Sequence, residues 1–218
     1  MSLADDSGGR FADRLDAGRV LATRLAAYAG REDVVVLGLP RGGIPVAAEI
    51  ARVLAAPLDV LLVRKLGLPQ HPELAMGAIA EGGVVLFNED VRPYAAPAEV
   101  ERVLAAERRE LDRRLEMYRA GRTARDVASR TVILVDDGLA TGATMEAGVR
   151  AVRARGAARV IVAVPVAPRE ACDRLARVAD EVVAARVPPA FRAVGEWYVD
   201  FDQTEDAEVV ARLADAAR

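Results

Sequence analysis

The stretch of sequence with the clearest chemistry joins two adjacent carboxylates to a loop of small and hydroxyl residues. Asp136 and Asp137 follow the apolar run 132–135, and the loop 138–142 leads into a helical pattern. Ligands of open α/β sheets bind outside the carboxyl ends of the strands, and N–H groups at a helix start suit a phosphate. The two carboxylates suit neighbouring hydroxyls, because each accepts hydrogen bonds. A phosphate at one end and a diol at the other describe a ribose 5-phosphate.

The alternative for the same residues is a strand that ends in a solvated acidic turn before an N-capped helix. The segment lacks the Gly-Lys-Ser/Thr ending of a Walker A loop, and its glycine spacing is not that of a Rossmann fingerprint.

Residues 132–145 resemble the ribose-phosphate motif of the type I phosphoribosyltransferases. These enzymes transfer phosphoribose from 5-phosphoribosyl 1-pyrophosphate (PRPP) to a nitrogen nucleophile, with Mg²⁺ as cofactor, and release pyrophosphate. The resemblance implies that Asp136 and Asp137 hold the ribose 2- and 3-hydroxyls and contact the metal indirectly, through PRPP and water. It also implies a 5-phosphate site formed by Ala140, Thr141, Gly142, Ala143 and Thr144.

A second motif, Arg41-Gly42-Gly43, lies between an apolar run and a helical pattern. It resembles the family's pyrophosphate loop, in which a basic residue precedes two glycines, and so implies PRPP binding by all three residues. The glycines let backbone N–H groups turn toward a diphosphate, and Arg41 supplies a forked cation. On its own, such a tripeptide is also a common structural turn. The family often has a cis peptide before the basic residue, which implies a cis bond between Pro40 and Arg41.

A third motif places Arg64 and Lys65 directly after an apolar run. It resembles the basic segment that begins the mobile catalytic loop of adenine-type members. The resemblance implies that both residues contact pyrophosphate oxygens when a lid, which includes residues 70–80, closes and excludes water. The alternative is a basic surface turn. Glu73 is the predicted catalytic acid or base, and His71 is the other nearby candidate.

The acceptor end is predicted from two features. Many purine-specific members carry a carboxylate at the position of Ala140, and alanine cannot bond a purine nitrogen, which argues against a standard 6-oxopurine acceptor. The C-terminal region holds four of the nine aromatic residues, and flat apolar faces suit a heterocycle. We predict that Phe191 and Trp197 bind the acceptor. The alternative is that these rings, with Tyr198 and Phe201, close the end of the sheet.

These motifs need a scaffold of alternating strands and helices. Continuous β-branched runs suit strands that are buried on both faces, and helical patterns separate the runs. The predicted strands cover residues 34–37, 60–63, 132–135, 160–164 and 182–183. We predict an α/β fold with three layers, α/β/α, around a mostly parallel central sheet. The resemblance implies the type I phosphoribosyltransferase fold with a small hood.

Two regions interrupt the alternation of strands and helices. Residues 77–87 predict a hairpin, and residues 99–119 predict a charged helix with one apolar stripe. We predict a single domain, with a lid, hairpin and helix inserted at 66–125 and a hood and helix at 186–218.

The composition of the 218-residue chain excludes several classes of protein. Thirty basic and 33 acidic residues give a net charge of −3, which does not favour a nucleic-acid partner. The one cysteine, Cys172, excludes an intramolecular disulfide, and the one histidine excludes a multi-His zinc site. No apolar run reaches the ~20 residues of a membrane span, and the start of the chain lacks the apolar core of a signal peptide. We expect a cytoplasmic protein, and the family often forms homodimers.

We therefore predict a magnesium-dependent phosphoribosyltransferase that binds PRPP and a small nitrogenous base. The alternative is a regulatory protein of the same fold that binds PRPP without transferring it, which Ala140 and the lack of a clear base favour. The chain also resembles a bacterial subgroup of phosphoribosyltransferase-domain proteins through its Asp-Asp-Gly-Leu-Ala-Thr-Gly-Ala-Thr loop and its Trp-Tyr-Val-Asp-Phe ending.

Overall fold

Apolar, β-branched runs form most strands of a parallel sheet in a computed structural model, which describes residues 9–72 and 74–216. The strands are β1 (Val34–Gly38), β2 (Leu58–Val60), β3 (Val63–Gly67), β4 (Ala75–Ala80), β5 (Val85–Phe87), β6 (Thr131–Val135), β7 (Arg159–Val166) and β8 (Glu181–Arg186). The helices are α1 (Arg14–Arg24), α2 (Gly43–Leu54), α3 (Pro97–Arg119), α4 (Ala143–Ala154), α5 (Arg169–Leu175) and α6 (Asp206–Asp215). Five strands form one sheet in the order β2-β1-β6-β7-β8, and every neighbouring pair is parallel.

Helices cover both faces of this five-stranded sheet. Within β1, Val34 and Val36 belong to the core layer shared with α1 and α2, whereas Val35 and Leu37 belong to the layer shared with α4 and α5. Every residue of β1 and of β6 is buried. Parallel strands between two helical layers have continuous apolar sequences for this reason. The predicted α/β/α architecture is confirmed.

The apolar run 60–63, predicted as one strand, belongs to two strands of different sheets, so that prediction was wrong. β2 ends at the first residue of the run, and β3 begins at its last residue in an antiparallel sheet of order β3-β4-β5. The Leu61 N–H donates to the Gly38 carbonyl, whereas the Leu62 carbonyl accepts from the Glu81 N–H, each at 3.0 Å. Both leucines are buried, so the apolar pattern runs through the change of sheet.

The predicted hairpin is confirmed as strands β4 and β5. The turn between them contains Gly82 and Gly83, whose φ angles are +86° and +80°. Glycine adopts this left-handed region without a steric penalty. β4 is the central strand of the small antiparallel sheet. The predicted lid includes residues 70–80, and the second half of this range is therefore the paired strand β4 rather than a loop.

A buried ion network joins the small sheet and α3 to the five-stranded sheet. Arg119 of α3 donates to Glu81 at 2.8 and 2.9 Å, and it lies 3.4 Å from Asp59 of β2. Both carboxylates are buried, and a buried charge without its partner is costly. Because α4 also packs against β3 and β4, the small sheet is held beside α4.

The charged helix predicted for 99–119 is confirmed as α3. It spans 23 residues and buries Val100, Leu111 and Tyr118. Among the residues that the structure describes, no helix combines the length and the apolar character needed to cross a membrane.

Candidate active site

The loops after β1 and β6 lie side by side where the chain leaves the sheet in opposite directions. β1 is followed by a connection to β2 at one edge, and β6 by a connection to β7 on the other side. We call the space between them the switch-point crevice, formed by residues 39–43 and 136–144. The Leu39 N–H donates to the Val135 carbonyl at 2.8 Å and joins the two loops. Open α/β sheets bind ligands at such points.

Gly42 and Gly43 let the first loop approach the two acids closely. A Cβ atom on Gly42 would lie 1.9 Å from Asp137 Oδ2. A Cβ atom on Gly43 would lie 2.7 Å from the Val135 carbonyl oxygen and 2.9 Å from Asp136 Cα. A Cβ at Gly43 would collide with backbone atoms, so this position requires glycine, whereas a Cβ at Gly42 would have to displace the Asp137 carboxylate. The glycine pair and the acid pair, which the sequence shows as separate motifs, are therefore in direct contact.

Burial dominates the electrostatics of Asp136 and Asp137. Asp136 Oδ1 accepts the Asp137 N–H at 2.9 Å. Burial, and next the charge of Asp137, raise the pKa of Asp136 well above its usual value. Burial also raises the pKa of Asp137, and Arg14 opposes that rise. Desolvated carboxylates of this kind gain free energy from hydroxyl donors or a cation.

Arg14 of α1 is a site residue that the sequence analysis missed. Its Nε donates to Asp137 Oδ2 at 2.8 Å, and its Nη1 donates to the Asp202 carbonyl at 2.7 Å. The guanidinium carbon also lies 4.0 Å from the ring centre of Phe201. Arg14 and Asp137 are 123 positions apart, and no local motif marks the arginine.

The C-terminal segment, residues 198–203, supports the acids. The Tyr198 hydroxyl donates to the Asp137 carbonyl at 2.6 Å, and the Tyr198 ring stacks on Phe201 with centres 4.8 Å apart. The Phe11 N–H donates to the Trp197 carbonyl, and the Val199 N–H donates back to the Phe11 carbonyl, each at 2.8 Å. Two of the four C-terminal rings therefore stabilise the Asp137 loop.

Arg41 contacts the same C-terminal segment. The peptide bond between Pro40 and Arg41 is cis, as the resemblance implied. The Arg41 guanidinium faces the side chain of Gln203, whose amide oxygen accepts from both Nη atoms when it is turned toward them. Residues 198–203 thus contact both the basic residue of the first loop and the acids of the second.

The loop between Asp137 and α4 exposes most of the residues that the resemblance assigns to a 5-phosphate site. Gly142 has a φ of +77° and precedes the first residue of α4. Ala140, Thr141, Ala143 and Thr144 are all exposed. Because the first N–H groups of a helix lack partners within the helix, this start presents N–H donors and two hydroxyls together.

Phe191 lies in a separate cleft at the carboxyl ends of β7 and β8, and Trp197 does not line it. This Phe191 cleft has a volume of about 440 Å³. Its lining residues are Pro168, Arg169, Glu170, Val187, Pro188, Pro189 and Phe191. Trp197 packs against the core, and its indole Nε1 is buried without a hydrogen-bond partner among the described residues. The Leu139 N–H donates to the Val166 carbonyl at 3.0 Å, which places the loop 138–142 beside the carboxyl end of β7.

The side chains of Arg64 and Lys65 lie on opposite faces of the small sheet, because neighbouring residues of a strand point to opposite faces. Arg64 Nε donates to Glu107 Oε2 of α3 at 2.7 Å. Lys65 lines a cleft together with Thr141 and Thr144. His71 is exposed, and the predicted catalytic Glu73 lies outside the described residues.

Asp136 and Asp137 are the candidate metal-binding groups of the crevice. Among residues 9–72 and 74–216, no cluster of three or more His, Cys, Asp or Glu side chains is placed to hold a metal ion. Asp136 and Asp137 offer hard oxygen ligands, which Mg²⁺ prefers, and Mg²⁺ keeps several waters and ligand phosphate oxygens. The pair therefore suits a Mg²⁺ ion that is bound together with a phosphorylated ligand.

The phosphoribosyl transferase domain family matches residues 11–188 of the chain. The chain belongs to this family. A Mycobacterium tuberculosis (strain H37Rv) protein named "Putative phosphoribosyl transferase" is 51% identical over 210 residues, which are 95% of this chain and 47% of that protein. The chain thus spans about half the length of the curated relatives that it matches.

Solved structures agree with the family membership. The crystal structure of TT1426 from Thermus thermophilus is 50% identical, with a TM-score of 0.83 over 94% of this chain and 98% of that chain. A hypothetical protein from Neisseria gonorrhoeae with bound ppGpp is 14% identical, with a TM-score of 0.50 over 100% of this chain and 99% of that one, and shows the fold alone. The protein has the type I phosphoribosyltransferase fold.

Proposed function

We propose that the protein is a magnesium-dependent phosphoribosyltransferase that moves ribose 5-phosphate from PRPP to a nitrogenous base and releases pyrophosphate. One observation carries the proposal. The glycine pair meets the acid pair at the switch point of the sheet, with Gly42 so close to Asp137 that an added Cβ would displace the carboxylate. The proposed diphosphate site and the proposed diol site are then adjacent, which is the arrangement that PRPP needs.

The residues of the crevice have separate roles in this proposal. Asp136 and Asp137 accept hydrogen bonds from the ribose hydroxyls. The start of α4, with Thr141 and Thr144, binds the 5-phosphate. The N–H groups after Arg41 bind the diphosphate, and Arg41 leaves Gln203 to donate to it. Because little covalent chemistry is asked of the protein, it acts by positioning the ligands and by stabilising the leaving charge.

A bound Mg²⁺ would neutralise charge on the leaving pyrophosphate. The hard oxygens of Asp136 and Asp137 suit this ion, acting through PRPP and water. Arg64 and Lys65 are the proposed second source of positive charge, and Arg64 would first have to leave Glu107, to which it donates at 2.7 Å.

The acceptor is proposed to enter the Phe191 cleft. Phe191 offers a flat apolar face, and Arg169 and Glu170 offer charged groups that select the edge of a ring. Ala140 supplies no carboxylate toward the base, which argues against a standard 6-oxopurine. Trp197, with its indole nitrogen buried, is a weaker candidate than Phe191 for direct contact with the acceptor.

A second candidate function is PRPP sensing without transfer. Two observations favour it: Arg14 already occupies Asp137 at 2.8 Å, and Arg41 faces Gln203. A protein that binds PRPP by breaking these contacts would convert PRPP binding into movement of residues 198–203. A homodimer and a cytoplasmic location belong to either proposal.

Phosphorus NMR of PRPP and Mg²⁺ with the protein tests the proposed function, with a pool of purine, pyrimidine and pyridine bases as acceptors. Transfer predicts protein-dependent growth of a new 5-monophosphate signal together with free pyrophosphate, and dividing the pool identifies the acceptor. Broadened PRPP signals without turnover would favour the sensor. A spectrum equal to the protein-free control would contradict both functions.

A further inference from the structure

A large cleft lies along α4 beside the switch-point crevice, with which it shares Thr141, Ala143 and Thr144. Its volume is about 750 Å³, within the range of small-molecule sites. We call it the α4 cleft. One wall is a cross-strand row of the small sheet, because Lys65 pairs with Ala78 and Ala78 pairs with Leu86. Residues of α4 and the end of α5 complete the lining.

The α4 cleft carries more positive than negative charge. Lys65, Arg150, Arg174 and Arg177 line it, against the two acids Glu146 and Asp90. Glu146 is already paired with Arg150 at 2.9 Å. Arg174 and Arg177 are exposed, and neither makes an ion pair with any described residue. Arg174 and Arg177 can therefore attract an anion into the cleft.

The cleft also has an apolar side and a side lined by hydroxyl groups. Leu86 and Phe87 of β5 are half-buried and line the side formed by the small sheet. Thr141 and Thr144, at the start of α4, line the other side. A ligand that fits this lining has a flat, partly apolar body and several negative charges.

We infer that the α4 cleft binds a nucleoside di- or triphosphate, with its base against Leu86 and its phosphates between the α4 start and Arg174 and Arg177. This goes beyond the proposed transfer reaction, since neither the acid pair nor Arg41 lines the cleft. It is linked to that reaction through Thr141 and Thr144, which both ligands use. A bound nucleotide therefore competes with PRPP.

Calorimetric titration of the full chain with ATP, at fixed salt, tests the inference. We expect the double change Arg174→Ala and Arg177→Ala to weaken ATP binding at least tenfold, because each charge-assisted bond to a phosphate contributes about 1.5–3 kcal/mol, or roughly tenfold or more. The matched control, Arg108→Ala with Arg109→Ala, removes two exposed cations from α3 and should change the affinity less than about twofold.

Three further titrations complete the test. Leu86→Ser should weaken ATP binding but leave the binding of inorganic tripolyphosphate unchanged, and an equal loss for both probes would overturn the nucleoside assignment. Asp136→Asn should weaken PRPP binding and spare ATP, so the failure of either proposal is seen separately. If Arg41→Ala abolishes ATP binding but the Arg174 and Arg177 double variant still binds ATP, then ATP binds in the crevice and the inference is overturned. Wild-type protein that binds no ATP would also overturn it.

Discussion

The switch-point crevice and the Phe191 cleft lie along the same carboxyl edge of the sheet, but they are built differently. In the crevice, the backbone of one loop lies against a carboxylate of the other. A Cβ added at Gly42 would lie only 1.9 Å from Asp137 Oδ2. The Phe191 cleft is formed by side chains of the loops after β7 and β8. Loop side chains can change without disturbing a sheet, whereas backbone contacts cannot. The difference fits the proposed function, in which PRPP binds in the crevice and the acceptor binds in the Phe191 cleft.

The largest effect is expected from a single methyl group in the crevice. Gly42→Ala should lower PRPP affinity at least about 100-fold, because the new Cβ displaces Asp137 and its charge-assisted bonds. Calorimetric titration with PRPP measures this. Gly9→Ala is the control, since a Cβ on Gly9 meets no atom within 4 Å. Unchanged PRPP affinity in the Gly42 variant would remove the basis for the comparison.

Asp136→Asn separates binding from stability in the same crevice. We expect PRPP affinity to fall about 100-fold, since a charged acceptor of the ribose hydroxyls is lost. The variant should also unfold at a higher temperature near neutral pH, because burial and Asp137 raise the pKa of Asp136 and so disfavour its ionised form in the fold.

The sign of the pH dependence follows from that raised pKa. The destabilisation by Asp136 is present at pH values above its folded pKa and is relieved as the pH falls through it. The difference in Tm between wild type and Asp136→Asn should therefore shrink on acidification, as measured by calorimetry at several pH values. If Asp136→Asn is instead less stable near neutral pH, the fold does not disfavour the ionised form of Asp136.

Arg14→Ala tests whether α1 is part of the crevice. Asp137 loses its partner at 2.8 Å, so we expect the free energy of unfolding to fall by about 1–3 kcal/mol and PRPP affinity by about tenfold. Arg14→Lys should recover part of both. The control is Arg19→Ala, whose side chain is 56% exposed and lies 3.6 Å from Glu49, and it should change stability by at most about 0.5 kcal/mol. Equal effects of the two alanine variants would contradict a role for Arg14.

Phe191→Ala should have the smallest effect, and this effect should be on the acceptor that is proposed to enter the Phe191 cleft. We expect the KM of the acceptor to rise about threefold to tenfold, since a half-exposed ring contributes part of its burial energy. The affinity for PRPP should stay unchanged, because Phe191 does not line the crevice. Steady-state kinetics with the acceptor that NMR identifies measure both quantities. A matching loss of PRPP affinity would show that the two clefts are one site.

The sequence predicts the fold and the two loops because their causes are local. A β-branched run buried on both faces reads as a strand, and glycines or paired acids after a strand mark the edge where ligands bind. The run 60–63 shows the limit of such reasoning, because apolar residues continue through a change of sheet. The pattern of apolar residues indicates which residues are buried, but it does not indicate which strand each segment pairs with.

The remaining parts of the site depend on contacts between distant positions. Arg14 reaches Asp137 across 123 positions, and Gln203 reaches Arg41 from the other end of the chain. The C-terminal rings show the same limit, since aromatic content predicts a flat surface but not which ligand or loop it faces. Tyr198 and Phe201 stabilise the Asp137 loop, Trp197 packs in the core, and Phe191 lines a cleft.

A crystal structure of the protein with PRPP and Mg²⁺ would show directly whether the switch-point crevice binds PRPP. We expect the ribose hydroxyls within hydrogen-bond distance of Asp136 and Asp137, the 5-phosphate at residues 140–144, and Arg41 turned from Gln203 toward the diphosphate. PRPP bound outside the switch-point crevice, with the contact between Arg14 and Asp137 still in place, would contradict the proposed function.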